Sequence, residues 1–470
     1  MARHANTPGN PLSCPWCGAE NQVAGSFCQV CRRVIARLPG WAQAGRRRWR
    51  FSWRRVLLWG TAVILFGLLV WLNYPFLPDP AILLFRRPTT TLTSTPAPGQ
   101  WPMSGGALQQ QNYVASPATQ PVGRVTWSAD LGEFTRSAPA VVDGVVYIGG
   151  HFKVVALEAA TGRLLWDKPT TGPVQSSLTV AGENLYLGLL DHRVLALDRQ
   201  TGEVRWEFQT GDIITASPVV AGGMAYLGSW DGAVYALDAA TGRRIWAHQT
   251  QGPVRHSPAV SGGVLFAGSN DGSLYILNAR TGQSRLRFRT PGPIAGPPVV
   301  GDGLVYFPSG GVIYAVDAGA RDLPGQYHLN LVWAQFWLWQ VPGVPRPSGQ
   351  PGGRWRFSPL KPDQGIISSP AATPEAFYVG DLQGNLYARD PQRGAELWRF
   401  QGRGGIVASP LAVGDRVYAG DKAGFLYALD RHRGEVIWQL SLGSPIEVAP
   451  AFAAGRLYVR TTDGRLHAIE

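Results

Sequence analysis

The chain has 470 residues, is rich in glycine (58), proline (37) and tryptophan (18), holds four cysteines and carries a net charge of +12. That profile argues against a mainly helical or disulfide-stapled protein and favours many short strands joined by tight turns. The charge is localised: twelve arginines face only Glu20 and Asp79 within residues 1–100, so the remainder is almost neutral and has no basic footprint for DNA or RNA.

Cys14, Cys17, Cys28 and Cys31 form a Cys-x2-Cys-x10-Cys-x2-Cys pattern. Two such turns can close four thiolates around a structural zinc ion, whose binding energy folds a segment too small for its own core. The alternative is a pair of disulfides. The string from Ser13 to Asn21 resembles the small zinc-ribbon family, which implies a ribbon over residues 12–36.

A basic segment follows at 37–55, with Arg46, Arg47, Arg48, Arg50, Arg54 and Arg55. It leads into the uncharged stretch Val56–Leu72, flanked by tryptophans, which predicts one transmembrane helix over 56–77. A cleaved signal peptide is the alternative, but the long leading region and the missing small-residue cleavage site disfavour it. Arginines are denser before the span than after it, so the N-terminus is expected in the cytoplasm and the rest of the chain outside it. The Thr/Pro-rich residues 78–100 read as an extended linker.

From there a phrase recurs with a period of about 40 residues. It ends at Trp127, Trp166, Trp206, Trp246, Leu286, Trp355, Trp398 and Trp438. Within one copy, Ala216–Val220, Met224–Gly228, Val234–Asp238 and Arg244–His248 read as four strands, separated by Gly-Gly, Asp-Gly and Thr-Gly turns. Eight such units predict an all-β, eight-bladed propeller of four-stranded antiparallel blades over 101–470. The last unit lacks a fourth strand and Trp127 lacks a blade, so Val125–Ala129 is expected to close the ring.

The phrase Ala-x-Asp-x-x-Thr-Gly-x-x-x-Trp, carried at 196–206 and 236–246, resembles the pyrroloquinoline-quinone-like repeat family. The chain is also similar to the outer-membrane protein assembly propeller of that family. The resemblance implies an eight-bladed propeller whose repeat tryptophans pack between blades. For the family's dehydrogenases it further implies a vicinal cysteine pair, calcium held by Glu and Asn, and an Asp base. No cysteine follows Cys31, and no matching calcium or base motif is present, which argues against pyrroloquinoline quinone and against an enzyme.

Two places remain as candidate sites. Arg136, Arg255, His256 and Glu447 precede first strands, so they can gather at one channel mouth around a small anion or peptide, or stand there as solvated rim residues. An insertion at 318–354 breaks the rhythm before Trp355, with Trp333 as a rival repeat residue. Its Trp333, Phe336, Trp337 and Trp339 suit a flap on the propeller, a docked protein partner or the membrane. The expected protein is a membrane-anchored, non-enzymatic scaffold for protein or ligand interaction in envelope protein assembly. The alternatives are a transmembrane sensor coupling an outside ligand to the zinc ribbon, and a quinone-dependent dehydrogenase.

Overall fold

The structure is a computed structural model that describes residues 12–14, 16–21, 28, 30–32, 53–73, 82, 84–117, 119–322, 326–347, 349–358, 365 and 368–470. The chain divides into two compact units, residues 1–70 and 71–470.

In the first unit, Leu12–Ser13 pairs antiparallel with Glu20–Asn21. The two cysteine turns repeat one geometry: the Gly18 N–H donates to Cys14 O at 2.8 Å, and the Arg32 N–H donates to Cys28 O at 2.9 Å. Both residues are left-handed, with φ of 72° at Gly18 and 54° at Arg32. Glycine adopts that conformation freely, whereas arginine does so at a cost of about 1–2 kcal/mol. Helix α1, Trp53–Asn73, covers 21 residues. Its described side chains, residues 58–68, are all exposed. Among the described residues no helix is long and apolar enough to cross a membrane. A helix thus occupies most of the range expected at 56–77, while membrane crossing stays an expectation from the sequence. The basic residues 37–52 lie outside the described residues, as do 74–77.

In the second unit eight antiparallel sheets follow one another: seven blades built from consecutive strands, and an eighth built from residues 451–469 and Val125–Asp130. Trp127 pairs with Ala468 and Val125 with Ile469, so the early strand closes the last blade as expected. The innermost strands of neighbouring blades touch around a central channel.

The repeat phrase has a direct steric cause. A side-chain carbon on Gly242 would lie 2.6 Å from the ring of Trp206, one on Gly282 2.6 Å from Trp246, and one on Gly434 2.5 Å from Trp398. Each of these turn glycines, preceded by Thr241, Thr281 and Arg433, is therefore bare because the previous blade's tryptophan lies on it. The indole N–H then donates to a carbonyl of the same neighbouring blade, Trp206 to Ala239 at 3.0 Å and Trp398 to Arg431 at 2.9 Å. Trp355 donates likewise to Pro391 at 3.0 Å and pairs with Ala315, so it and not Trp333 is the fifth blade's repeat residue.

The linker expected over 78–100 is not a free tether. Ser94 is buried and bridges two blades: its N–H donates to Val220 O at 2.8 Å and its hydroxyl to Val180 O at 2.7 Å. Thr89 donates twice to the Asp238 carboxylate, at 2.6 and 2.9 Å. Beyond it, residues 101–114 form a belt across one end of the channel. Trp101 bridges to Val141, Pro102 O accepts from Val180, Leu108 O from Val260, Gln111 O from Ala372, and Asn112 O from Ala412. Tyr113–Val114 adds a parallel fifth strand to the seventh blade. Innermost strands leave backbone groups unpaired on their channel side, and a buried unpaired group is costly, so this backbone-to-backbone belt has a clear cause.

The insertion holds helix α2, Gln326–Leu338. Its apolar side chains are exposed, including Leu329, Trp333, Phe336, Trp337 and the following Trp339. That excludes a flap buried on the propeller through these side chains.

Candidate functional site: a cationic channel pocket

The residues just before the first strands line a channel cavity of 580 Å³. Ser104, from the belt, also lines it, so the channel carries a floor made by the chain itself. A band of serines shapes the wall. The Ala138 N–H donates to Ser177 Oγ, Ser177 N–H to Ser217 Oγ, and Ser217 N–H to Ser257 Oγ, each at 2.9 Å. These hydroxyls knit adjacent blades and are engaged as acceptors.

The charged groups stand above that band. Arg136, Arg255, His256 and Glu447 all line the same cavity, so the structure brings the four sequence candidates together. Arg255 lies over the Trp230 ring at 3.9 Å, and the Trp230 N–H donates to Thr215 Oγ1 at 3.0 Å. With its amide carbonyl turned toward Arg255, Asn270 accepts from Nε at 2.9 Å and from Nη2 at 3.2 Å. The guanidinium is thereby fixed in direction, with further N–H donors left over. Arg136 reaches Glu447 only at 3.9 Å, and Lys422 reaches it at 3.4 Å. The His256 ring has no hydrogen-bond partner among the described residues, and burial, then Arg255 and Arg136, hold its pKa down to about 4. At neutral pH it is an uncharged imidazole with one donor and one acceptor facing the cavity. One fixed cation, Arg255, and the more exposed Arg136 stand against one partly neutralised carboxylate and make the pocket attractive to carboxylates, for which arginine offers paired donors.

Sequence reasoning missed Trp230 and Lys422, and aligned Gln175 with Arg136 and Arg255 without choosing it as a candidate. Gln175 Oε1 accepts from the Arg136 N–H at 3.0 Å. Trp230 carried a usable signal: it is a tryptophan outside the repeat rhythm, between Trp206 and Trp246.

In the first unit the four cysteine sulfurs all lie within 4.8 Å of one another. The Cys14–Cys31 and Cys17–Cys28 pairs are each 3.6 Å apart. That is far beyond the roughly 2.05 Å of a disulfide. It is close to the roughly 3.8 Å edge of a tetrahedron with metal–sulfur bonds near 2.3 Å. The donor set fits a thiolate-bound metal ion.

Fold and pocket together define a ring-closed, eight-bladed propeller of the pyrroloquinoline-quinone-like repeat class. A family model described as outer membrane protein assembly factor BamB matches residues 112–253, 230–401 and 383–470, and the chain belongs to that family. It is 34% identical over 115 residues to the quinohemoprotein alcohol dehydrogenase ADH-IIG of Pseudomonas putida, a match covering 21% of this chain and 16% of that one. The chain thus spans a small part of that relative's length. Among solved structures, BamB from Moraxella catarrhalis is similar with a TM-score of 0.56 at 19% identity, over 74% of this chain and 98% of that one. The quinohemoprotein alcohol dehydrogenase from Comamonas testosteroni is similar with a TM-score of 0.63 at 16% identity, over 84% and 82%. At those identities the likeness is one of fold. The pocket does not fit the calcium and cysteine parts of a quinoprotein centre: its lining holds no cysteine, and its one carboxylate, Glu447, is engaged by Arg136 and Lys422.

Proposed function

We propose that the chain is a membrane-anchored, non-enzymatic binding protein whose channel pocket takes a carboxylate-bearing ligand, such as an acidic side chain or chain end of a protein partner. The observation that carries this reading is the convergence of Arg136, Arg255 and His256 on one floored cavity. The pocket offers donors for recognition and no nucleophile–base pair for chemistry. Membership of a family described by an outer-membrane assembly factor supports a role as an interaction scaffold in envelope protein assembly. Anchoring rests on the apolar sequence carried by α1, with the arginine-rich side in the cytoplasm and the propeller outside. The four cysteines hold structural zinc on the reducing side.

A thermal-shift comparison tests the pocket. Triglutamate should raise the midpoint of the wild-type chain and trilysine should not. Glu447→Gln, which removes the competing internal carboxylate, should enlarge the triglutamate shift. Equal responses to the two peptides would refute the reading.

A second reading, a transmembrane sensor, is favoured by one observation. The segment of residues 84–114, a strap that includes the belt, also supplies Ser104 to the pocket. Ligand binding there would act on the segment that continues toward α1. Hydrogen exchange in residues 94–114 should then slow when triglutamate binds, and unchanged exchange would remove this reading.

A further inference from the structure

Helix α2 in the fifth-blade insertion is apolar on every side. At about 100° per residue, Leu329, Trp337, Leu331 and Val332 fall around the axis with no gap wider than roughly 120°. All four are exposed, as are Trp333, Phe336 and Leu338, with Leu329 at 68% and Leu338 at 64%. Gln326 with Asn330 on one side, and His328 with Gln335 on another, interrupt this surface as two separate pairs and form no single polar face. A protein groove would ask for one apolar stripe; a helix with exposed apolar side chains in every direction suits immersion in an apolar solvent better than a single groove.

The surrounding sequence points the same way. Residues 323–345 contain no Asp, Glu, Lys or Arg, with Arg321 and Asp322 just before that stretch and Arg346 just after it. Arginines placed so can meet anionic headgroups while the stretch between them enters the acyl region. Trp333, Trp337 and Trp339 are the side chains enriched at the membrane–water boundary. Part of the insertion's polar surface is satisfied internally: Trp333 Nε1 donates to Pro345 O at 2.8 Å, the Val341 N–H to Phe336 O at 3.1 Å and the Val344 N–H to Val341 O at 3.2 Å. Such satisfaction is what a segment needs to enter lipid. At 13 residues α2 is too short to cross, so its place is one leaflet's interface.

We infer that α2 and its return segment form a lipid-inserting finger by which the propeller rests on a bilayer surface, independently of α1 and of any ligand in the channel.

The test uses the full chain with a protease site placed between residues 73 and 82, reconstituted in vesicles of phosphatidylcholine and phosphatidylglycerol. After cleavage the propeller fragment should stay with the vesicles on flotation. Trp333→Ser/Trp337→Ser/Trp339→Ser should lower the retained fraction at least about tenfold. Because Trp333 also braces the insertion, Leu329→Ser/Leu338→Ser should give a loss in the same direction, with the propeller's circular dichroism unchanged. Release of the wild-type fragment from these vesicles would overturn the inference, as would full retention of both variants. Release from pure lipid with retention on native membranes would also overturn it, assigning α2 to a protein partner.

Discussion

The Arg460 guanidinium donates to the Thr135 hydroxyl at 2.8 Å, across the seam between the last and first blades. In six of the other seven blades this position is glycine, packed beneath an aliphatic residue of the next blade, as with Gly188 beneath Ile214, Gly228 beneath Val254 and Gly420 beneath Ile446; in the fifth it is Pro308. At the seam, Arg460 is fully buried and also donates to Gly149 O at 2.6 Å, with longer contacts to Ser137 O and Glu133 O at 3.4 Å. Among the described residues no acid pairs with it, and burial lowers its pKa to about 10. The blades are thus sewn at this one junction by a cation held by neutral oxygens.

That arrangement predicts strong coupling between the two positions. Arg460→Gly alone should destabilise the propeller by about 3 kcal/mol, through lost packing and stranded carbonyls. Arg460→Gly with Thr135→Ile restores the pattern of the other seams and should recover most of that loss. Denaturant midpoints of the two singles and the double would decide it; simple additivity would contradict the coupling.

Acid should weaken the propeller through buried imidazoles. His256 titrates near 6.5 when unfolded but at about 4 in the fold. Its folded value is depressed, so the unfolded chain binds the proton first as pH falls. The associated stability is fully present above pH 6.5 and is lost progressively toward pH 4, amounting to about 3 kcal/mol. Burial also lowers His248 and His467, which adds in the same direction. His256→Gln should flatten the dependence of melting temperature on pH between 7 and 4; an unchanged slope would count against it.

The strap is testable by hydrogen exchange. The amides of Ser94 and Trp101 should be protected nearly as well as blade amides, because each donates to an innermost strand. Ser94→Ala, which strands the Val180 carbonyl, should cost about 1–2 kcal/mol. Immediate exchange at both amides would restore the picture of a free linker.

Metal analysis addresses the cysteine cluster. The full chain should carry one zinc ion, and Cys14→Ser should lose it while leaving the propeller's melting transition in place, since the two units are separately compact. Retention of metal by the variant would contradict four-thiolate binding.

The ring was readable because its packing is written in large side chains at a fixed period. Trp127 without a blade, and Glu470 ending a blade without its fourth strand, together specified how the ring closes. Arg136, Arg255, His256 and Glu447 were readable by aligning the repeats. The belt was not, because residues 94–114 hold the innermost strands chiefly through backbone N–H and C=O groups, which every sequence possesses. Trp230 and Arg460 lie between these extremes. Each departs from its repeat position, but only the fold reveals that one stacks on Arg255 and the other joins Thr135.

The central claim concerns the pocket, and calorimetry tests it most directly. Titrating triglutamate into the full chain at low salt should give saturable heat with wild type, and Arg136→Ala/Arg255→Ala should abolish it without lowering the melting temperature. Equal binding by the double variant, or no binding by wild type, would contradict carboxylate recognition in the channel.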